Sequence, residues 1–318
     1  MGSPLSSLSS LSTLDGAVAI VTGAGDGLGR AQARALAAAG ARLVLNDLRA
    51  DAAAAVALEI AEAGGTAVVC AGDVGEWSTG AALVDCALDA YGSLEILVNN
   101  AGVLRDRMVF AMSAEEWDTV IRVHLRGHFV TTRFATAHWR ERSKVTGGPV
   151  YARVINTASE AFLLGSAGQP NYAAAKAGIV ALTLSTARGC ARYGVRANAI
   201  CPRARTAMTA ELMGPPPDGA FDPLSPDHVA PLVTYLAGPA GAAISGEVFV
   251  VHGGMAAVLG PPTVRAAFRT DDGGAFTEDG LHAVLGPLFT VDPPRPGFVC
   301  EETMALAGDG VGAPAGDG

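Results

Sequence analysis

A tyrosine and a lysine four positions apart are the residues best suited to acid–base chemistry. Three alanines separate Tyr172 from Lys176, and on a helix this spacing places the phenol and the ammonium on one face. A free phenol has a pKa of about 10, but a neighbouring ammonium stabilises the phenolate and lowers that pKa. The chain has only two lysines, Lys144 and Lys176, so chance seldom produces such a pair. We therefore favour a catalytic pair over the alternative, an ordinary pair on a helix surface.

Ser159 and a pair of histidines extend this candidate site. Ser159 follows a predicted strand, where its hydroxyl could donate to a substrate oxygen; the alternative is a helix cap or a loop serine. His124 and His128 have the i, i+4 spacing that can bind a metal, but the sequence around them lacks a His-Glu-x-x-His arrangement. We predict core or relay roles for these histidines and no metal site.

A glycine-rich turn predicts the binding of phosphate groups. Its four glycines fall between a predicted strand and a predicted helix. Glycines let backbone N–H groups approach a pyrophosphate, and the N-terminus of the helix adds a favourable field. The alternative is a tight turn without a ligand. The cofactor-binding residues predicted in this turn are Gly23, Asp26, Gly27, Leu28 and Gly29.

Asp47 indicates which dinucleotide the turn would hold. It ends the second predicted strand, about twenty residues after the glycines, where a carboxylate can accept hydrogen bonds from both ribose hydroxyls. The alternative is a helix N-cap. Because Asp47 and Asp26 would repel a 2′-phosphate, we predict NAD over NADP, although Arg49 and Arg30 are close enough in sequence to favour a phosphate.

Short apolar or β-branched runs alternate with alanine-rich helical stretches from residue 17 onward. This alternation predicts an α/β fold, a doubly wound parallel sheet of seven strands with helices on both faces and a ligand crevice beyond the carboxyl ends of the strands. The predicted strands are Ala17–Thr22, Arg42–Asn46, Thr66–Cys70, Leu94–Asn99, Val150–Thr157, Val195–Ile200 and Glu247–Val251. The predicted helices are Leu28–Ala39, Ala50–Ala63, Gly75–Tyr91, Ala114–Arg142, Asn171–Tyr193 and Pro226–Leu236.

Composition excludes several classes of protein. The chain has 318 residues and a formal net charge of −9, which argues against nucleic acid as the main partner. Half of the residues are apolar, but the longest apolar stretches fall well short of the roughly 20 residues that cross a bilayer. The five cysteines include no Cys-x-x-Cys pair, which favours a reducing, cytoplasmic location over a disulfide scaffold.

Three segments are predicted along the chain. Residues 1–13 are expected to form a flexible tail, and residues 14–259 the α/β domain. Residues 260–318 form a C-terminal extension rich in glycine and proline and carrying an excess of acidic side chains. We expect this extension to be partly disordered, above all over residues 308–318; the alternative for residues 260–290 is docking on the domain or on a neighbouring subunit.

These motifs together resemble the short-chain dehydrogenases/reductases, over about residues 14–254. The resemblance implies a Rossmann-type fold in which Tyr172 is the catalytic acid–base group and Ser159 orients the reacting oxygen. It implies that Lys176 both tunes Tyr172 and holds the nicotinamide ribose. Four further residues that it places at the cofactor are Asp73 and Val74 at the adenine, Asn99 near a ribose and Thr206 near the carboxamide.

Two positions depart from the usual pattern of that family. His124 replaces an asparagine that helps to hold a proton-relay water, and Arg203 replaces the glycine of a Pro-Gly pair. Arg203 and Arg205 could reach the phosphates of a coenzyme A substrate; the alternative is solvated loop arginines. Both departures resemble the (3R)-hydroxyacyl-CoA dehydrogenase unit of peroxisomal multifunctional enzymes and its bacterial relatives, which include 3-oxoacyl carrier-protein reductases and 17β-hydroxysteroid dehydrogenases.

The sequence thus predicts an NAD-dependent oxidoreductase acting on a secondary alcohol or ketone, with a hydroxyacyl or steroid-like substrate. The alternatives are an NADPH-dependent 3-oxoacyl thioester reductase and, in another class, a non-catalytic dinucleotide-binding regulatory subunit. The resemblance also implies a homodimer or homotetramer built through the long helices predicted at 114–142 and 171–193.

Overall fold

The computed structural model describes residues 13–209, 214–217, 221–271 and 273–290, together with residues 303 and 306. Internal contacts divide the chain into two compact units, Met1–Leu259 and Gly260–Gly318. Apart from residue 13, the tail predicted at 1–13 lies outside the described residues, as does the segment 308–318 that was expected to be disordered.

One sheet forms the centre of the first unit. In the described residues it has eight strands in the order β3-β2-β1-β4-β5-β6-β7-β8, so the parallel, doubly wound arrangement is confirmed. All pairs are parallel except β7 with β8. The strands are β1 Val18–Thr22, β2 Arg42–Asn46, β3 Thr66–Val69, β4 Ile96–Asn99, β5 Ala152–Thr157, β6 Val195–Pro202, β7 Val248–His252 and β8 Met255–Val258.

The predicted number of seven strands is one too few. The chain reverses after β7 through Gly253, whose φ of +49° suits glycine, and β8 returns antiparallel with His252 opposite Met255. This edge strand alternates between half-buried and exposed residues.

Helices cover both faces of the sheet, as predicted. The long helix predicted at 114–142 is interrupted, however, because a π-helical turn at Arg122–Arg126 lies between α4 and α5. The α-helices of the described residues are α1 Gly27–Ala38, α2 Ala50–Glu62, α3 Trp77–Tyr91, α4 Ala114–Ile121, α5 Gly127–Thr146, α6 Ala161–Leu164, α7 Pro170–Cys190, α8 Ala230–Ala237 and, in the second unit, α9 Glu278–Phe289.

The core consists of two apolar layers, one on each face of the sheet. Alternate residues of a strand point to opposite faces, so Val18 and Ile20 of β1 join one layer while Ala19 and Val21 join the other. Helices α1, α2 and α8 pack in the layer of Ala19, and α3, α5 and α7 pack in the layer of Val18. The carboxyl ends of the parallel strands are thereby held at one edge of a rigid sheet.

A ladder of buried amides joins the central strands to their helices. Asn99 of β4 is opposite Asn156 of β5 and donates to its Oδ1 at 2.9 Å. Asn156 donates in turn to Thr183 of α7 at 2.8 Å. Thr131 of α5 donates to the side-chain oxygen of Asn99, Oδ1, at 2.6 Å. Because each of these polar groups is buried and paired, the ladder fixes the register of β4, β5, α5 and α7.

No helix within the described residues is long and apolar enough to cross a membrane.

We predict that Trp139→Ala destabilises the protein by about 3–5 kcal/mol. Trp139 is 1% exposed and donates from Nε1 to the Leu94 carbonyl at 2.6 Å, so the substitution leaves both a cavity and an unpaired carbonyl. Urea unfolding followed by circular dichroism measures the change. The matched control is Trp77→Ala, since Trp77 is 45% exposed; this substitution should lower the free energy of unfolding by about 1 kcal/mol. Equal losses of stability for the two variants would contradict this account of the core.

Candidate active site

The candidate site lies at the carboxyl ends of the parallel strands, where the strand order reverses between β1 and β4. This is the position at which doubly wound sheets bind ligands. Most residues selected from the sequence lie at the end of β4 or in the segments that follow β1, β2, β3, β5 and β6, and the others lie on the π-helical turn and α7. The fold therefore gathers segments that are far apart along the chain.

The turn after β1 has the shape of an anion cradle. Gly23 and Gly27 have φ values of +61° and +52°, which other residues seldom adopt. Asp26 caps α1, since its Oδ1 accepts from the Gly27 N–H at 2.7 Å. A Cβ on Gly27 would lie 3.1 Å from Thr206 Cγ2, so glycine keeps a passage open between α1 and the segment after β6. A cavity of about 350 Å³ occupies this passage.

Asp47 lies beside the glycine turn. Its Oδ2 accepts from the Gly25 N–H at 3.0 Å and its Oδ1 from the Arg49 N–H at 3.0 Å. Arg49, not Asp47, is the N-cap residue of α2, so the N-cap alternative for Asp47 is wrong. Arg30 is held by Glu59, with Nε 2.9 Å from Oε2, and its charge is therefore already paired.

The two asparagines at the carboxyl end of β4 have different structural roles. The Asn99 side chain is fully engaged in the amide ladder, so its amide is not free for the ribose contact that the family resemblance implies. Asn100 instead supports the glycine turn, donating from Nδ2 to the carbonyls of Thr22 and Gly23 at 3.2 Å each. The run of two asparagines in the sequence did not distinguish these roles.

The π-helical turn contacts the segment predicted to bind adenine. The Asp73 carboxylate accepts from Arg122 at 2.6 Å and from the Gly75 N–H at 2.8 Å. Arg126 donates to the Gly75 carbonyl at 2.8 Å, and Val74 packs where a Cβ on Gly127 would be. Sequence reasoning missed Arg122, which lies 49 positions from Asp73 and in a segment with ordinary helical composition.

His124 is buried between the same turn and the candidate catalytic tyrosine. Its ring meets the Tyr172 ring edge to face, with centroids 5.2 Å apart, and its Nε2 lies 3.0 Å from the Val103 nitrogen. Burial and the Lys176 charge lower the pKa of His124 well below its usual range, so the imidazole is neutral. The same causes lower the pKa of His128 to about 3.

Tyr172, Lys176 and Ser159 come together, as expected from the sequence. The Lys176 ammonium lies 5.2 Å from the centre of the Tyr172 ring and donates to the Thr157 carbonyl at 2.6 Å. The Ser159 hydroxyl lies near enough to the Tyr172 phenol to favour the ionised form and so to lower the phenol pKa. Two elements, the end of β5 and the first turns of α7, thus position all three groups.

The ionisation of this pair differs from the expectation that lysine lowers the tyrosine pKa. Burial raises the pKa of Tyr172 to about 12, and the nearby Ser159 hydroxyl offsets only part of this rise. Burial also lowers the pKa of Lys176 to about 7. Burial therefore moves both groups towards their neutral forms in the protein without ligand, since desolvation is the largest cause of each shift.

The two loop arginines after β6 are paired with carboxylates. Arg203 binds Glu160 and Arg205 binds Asp222, so the structure does not support solvent-exposed arginines awaiting a phosphate. In the described part of the chain, no group of three or more histidine, cysteine or acidic side chains is arranged to hold a metal.

The fold and this site define a dinucleotide-binding oxidoreductase with a doubly wound sheet. The family model described as short chain dehydrogenase matches residues 17–214. The chain belongs to the short-chain dehydrogenase family, whose members bind NAD or NADP, and it is an oxidoreductase.

Several relatives share this architecture. The hydroxyacyl-CoA dehydrogenase ChsB1 of Mycobacterium tuberculosis is 50% identical over 300 residues, which cover 92% of this chain and 94% of the relative. The mouse peroxisomal multifunctional enzyme type 2 is 41% identical over 231 residues, 70% of this chain but 30% of that enzyme. The crystal structure of a short chain dehydrogenase from Mycobacterium avium superposes with a TM-score of 0.79 at 44% identity, covering 89% of this chain and 98% of that one.

The lowered pKa of Lys176 predicts a pH-dependent stability. Between its folded value of about 7 and its unfolded value of about 10.4, the unfolded state binds one proton more, so this lysine makes stability rise with pH. Lys176→Met removes that contribution. We expect the cofactor-free variant to exceed the wild type in free energy of unfolding near neutral pH, and this excess to shrink by about 1.4 kcal/mol per pH unit up to about pH 10.

Denaturant titrations at several pH values measure this slope. Lys144→Met is the control, since the Lys144 side chain is 50% exposed and its loss should give a nearly flat difference. Parallel curves for Lys176→Met and wild type would show that the buried ammonium does not lose its proton on folding.

Proposed function

We propose that the protein is an NAD-dependent dehydrogenase that interconverts a 3-hydroxyacyl thioester and its 3-oxo form, with Tyr172 as the acid–base group. A hydroxysteroid is the alternative substrate class. The observation that carries the proposal is the convergence of Ser159 and Lys176 on the partly buried Tyr172, beside a glycine cradle that opens toward Thr206.

The residues of the cradle fit a dinucleotide. Backbone N–H groups at the start of α1 suit a pyrophosphate, and the small residue at Gly27 preserves the space in front of Thr206. Asp47 would accept from the adenosine ribose, Val74 would line the adenine, and Lys176 would reach the nicotinamide ribose. When bound, the nicotinamide accepts a hydride from the alcohol carbon or returns one to the ketone.

The side chains of the protein manage the proton. In the oxidative direction Tyr172 Oη, as the phenolate, takes the proton of the substrate hydroxyl, and Ser159 Oγ holds the same oxygen in place. The phenolate is costly in the empty site, where burial raises the Tyr172 pKa to about 12. A protonated Lys176 and the positive charge of an oxidised nicotinamide would both lower this cost, so acid–base competence depends on the loaded site.

His124 is proposed as a relay residue next to this pair. Its Nδ1 is buried and has no hydrogen-bond partner in the described part of the chain, while its Nε2 is engaged at Val103. A buried polar atom of this kind is usually satisfied by water. A water at Nδ1 would connect Lys176 with the neutral imidazole. In the oxidative direction this route would carry away the proton that Tyr172 takes from the substrate, and in the reductive direction it would return one.

The substrate class is supported by the relatives. ChsB1 carries the name hydroxyacyl-CoA dehydrogenase and is 50% identical along nearly the whole chain. We propose the same substrate class for this chain.

We also propose a cytoplasmic homodimer or homotetramer built through α5 and α7. These are the longest described helices, with 20 and 21 residues, and α5 leaves Phe129 44% exposed. The described cysteines are free thiols, in keeping with a reducing compartment.

Tyr172→Phe tests the proposed chemistry. The variant keeps the ring but loses the only proton-carrying atom, so we expect turnover of 3-hydroxybutyryl-CoA with NAD to fall by about 10²–10⁴-fold while NADH binding changes by less than about twofold. Steady-state kinetics and NADH fluorescence give the two readouts. Tyr235→Phe, at a side chain 44% exposed and outside the site, should behave as wild type. Retained activity in Tyr172→Phe would rule out Tyr172 as the acid–base group, whereas a wild type without activity would favour the non-catalytic alternative.

Asp47→Ala tests the choice of dinucleotide. Since a hydrogen bond to a charged group contributes about 1.5–3 kcal/mol, we expect the variant to lose about tenfold or more in affinity for NAD and to gain tolerance of NADP. Thermal-shift titrations with all four dinucleotides report the affinities. The control Asp51→Ala removes an exposed carboxylate in the first turn of α2 and should change neither the affinity for NAD nor that for NADP. A wild-type protein that prefers NADPH would favour the 3-oxoacyl thioester reductase.

A further inference from the structure

A paired carboxylate and guanidinium lie directly beside Ser159. Glu160 Oε2 accepts from Arg203 Nε, and Glu160 Oε1 accepts from Arg203 Nη2, both at 2.6 Å. The side chains are only 10% and 20% exposed. A bidentate pair of this length and burial fixes the relative orientation of the two planar groups, unlike an exposed ion pair.

Both partners of the pair extend from firmly anchored backbone. The Ala158 N–H donates to the Ile200 carbonyl of β6 at 2.7 Å, and the Arg203 N–H donates to the Val251 carbonyl of β7 at 3.0 Å. Ser159 is therefore held on one side by the sheet and on the other by the side chain of Glu160. Its own hydroxyl accepts from the Ala161 N–H at 3.2 Å, a contact that leaves the hydroxyl proton free to point elsewhere.

The pair also adjoins the wall behind the tyrosine. Cys201, two residues before Arg203, is buried, and the charges of both Glu160 and Lys176 act on its thiol. Glu160 and Lys176 are therefore both close enough to this thiol for their charges to act on it. A shift of the β5–α6 segment by less than an ångström would change the distance between Ser159 Oγ and Tyr172 Oη, and catalysis is sensitive to displacements of this size.

We propose that Glu160 and Arg203 are positioning residues, which hold the Ser159 hydroxyl in register with Tyr172 and do not bind the substrate phosphates. The proposal rests on the proposed function, since it assigns Ser159 a part in the reaction. It accounts for a basic side chain at residue 203 and an acidic one at residue 160, since each neutralises the charge of the other in a partly buried place.

The test compares variants that separate charge, length and hydrogen-bond geometry. Glu160→Gln keeps the length and loses the charge, Glu160→Asp keeps the charge and withdraws it by one methylene, and Arg203→Lys keeps the charge but loses the planar fork. Each is assayed as the NAD-loaded enzyme with 3-hydroxybutyryl-CoA. We expect kcat to fall about tenfold or more in all three, while KM for both substrates and the NADH dissociation constant change by less than about twofold.

A double-variant cycle shows whether the effect passes through Ser159. If the pair acts by holding the Ser159 hydroxyl, Glu160→Gln should cost less than about twofold in a Ser159→Ala background, because the hydroxyl it positions is already gone. Glu59→Gln, which removes one carboxylate from an α1–α2 surface pair, is the matched control and should retain wild-type kcat.

Three outcomes would overturn the proposal. The first is equal loss from Glu160→Gln with and without Ser159. The second is a loss of kcat that equals the fraction of unfolded protein in a thermal melt. If Glu160→Gln does not fold, Glu160→Asp provides this comparison. The third is a raised KM for the thioester with unchanged kcat, which would restore a substrate-binding function to Arg203. None of these depends on Tyr172→Phe, whose retained activity would instead remove Tyr172 as the acid–base group of the proposed function.

Discussion

The hydrogen bond from the Lys176 ammonium to the Thr157 carbonyl is the interaction on which the rest of the site depends. It is 2.6 Å long and joins the second turn of α7 to the end of β5. Tyr172 lies one helical turn before this lysine, and Ser159 lies two residues after Thr157, so one contact sets the distance between both groups. The contact takes a cation out of water, and the pKa of about 7 for Lys176 is the physical consequence.

A second constraint connects the two ends of the cofactor cleft. The π-helical turn contributes Arg122 and Arg126 to the segment at Asp73–Gly75, and His124 to the side of Tyr172. A π-turn rotates the following helix relative to the preceding one and frequently occurs at functional sites. Here it lets one short segment contact the expected adenine end and the expected nicotinamide end at once.

Much of the fold could be predicted from the sequence because its signals are local and periodic. The β-branched runs place β1 and β2 to within a residue, and the helical stretches between them require parallel strands. The eighth strand escaped notice because Met255–Val258 is short and lies at an edge, with only half of its residues partly buried. The interruption at Arg122–Arg126 escaped notice because a π-turn uses the same residue types as the helix around it.

The sequence by itself determined which groups can react. Tyr172 and Lys176 are four residues apart, and the glycines after β1 lie within one turn. The chemistry of each set can be predicted from a few neighbouring positions, since helix geometry and positive φ values are local properties. Only the tertiary structure decided what surrounds those groups. It engages Asn99 in a buried ladder, pairs Arg203 with a carboxylate 43 positions away and raises the Tyr172 pKa to about 12. These properties follow from burial and from contacts between distant segments, which no local pattern of residues encodes.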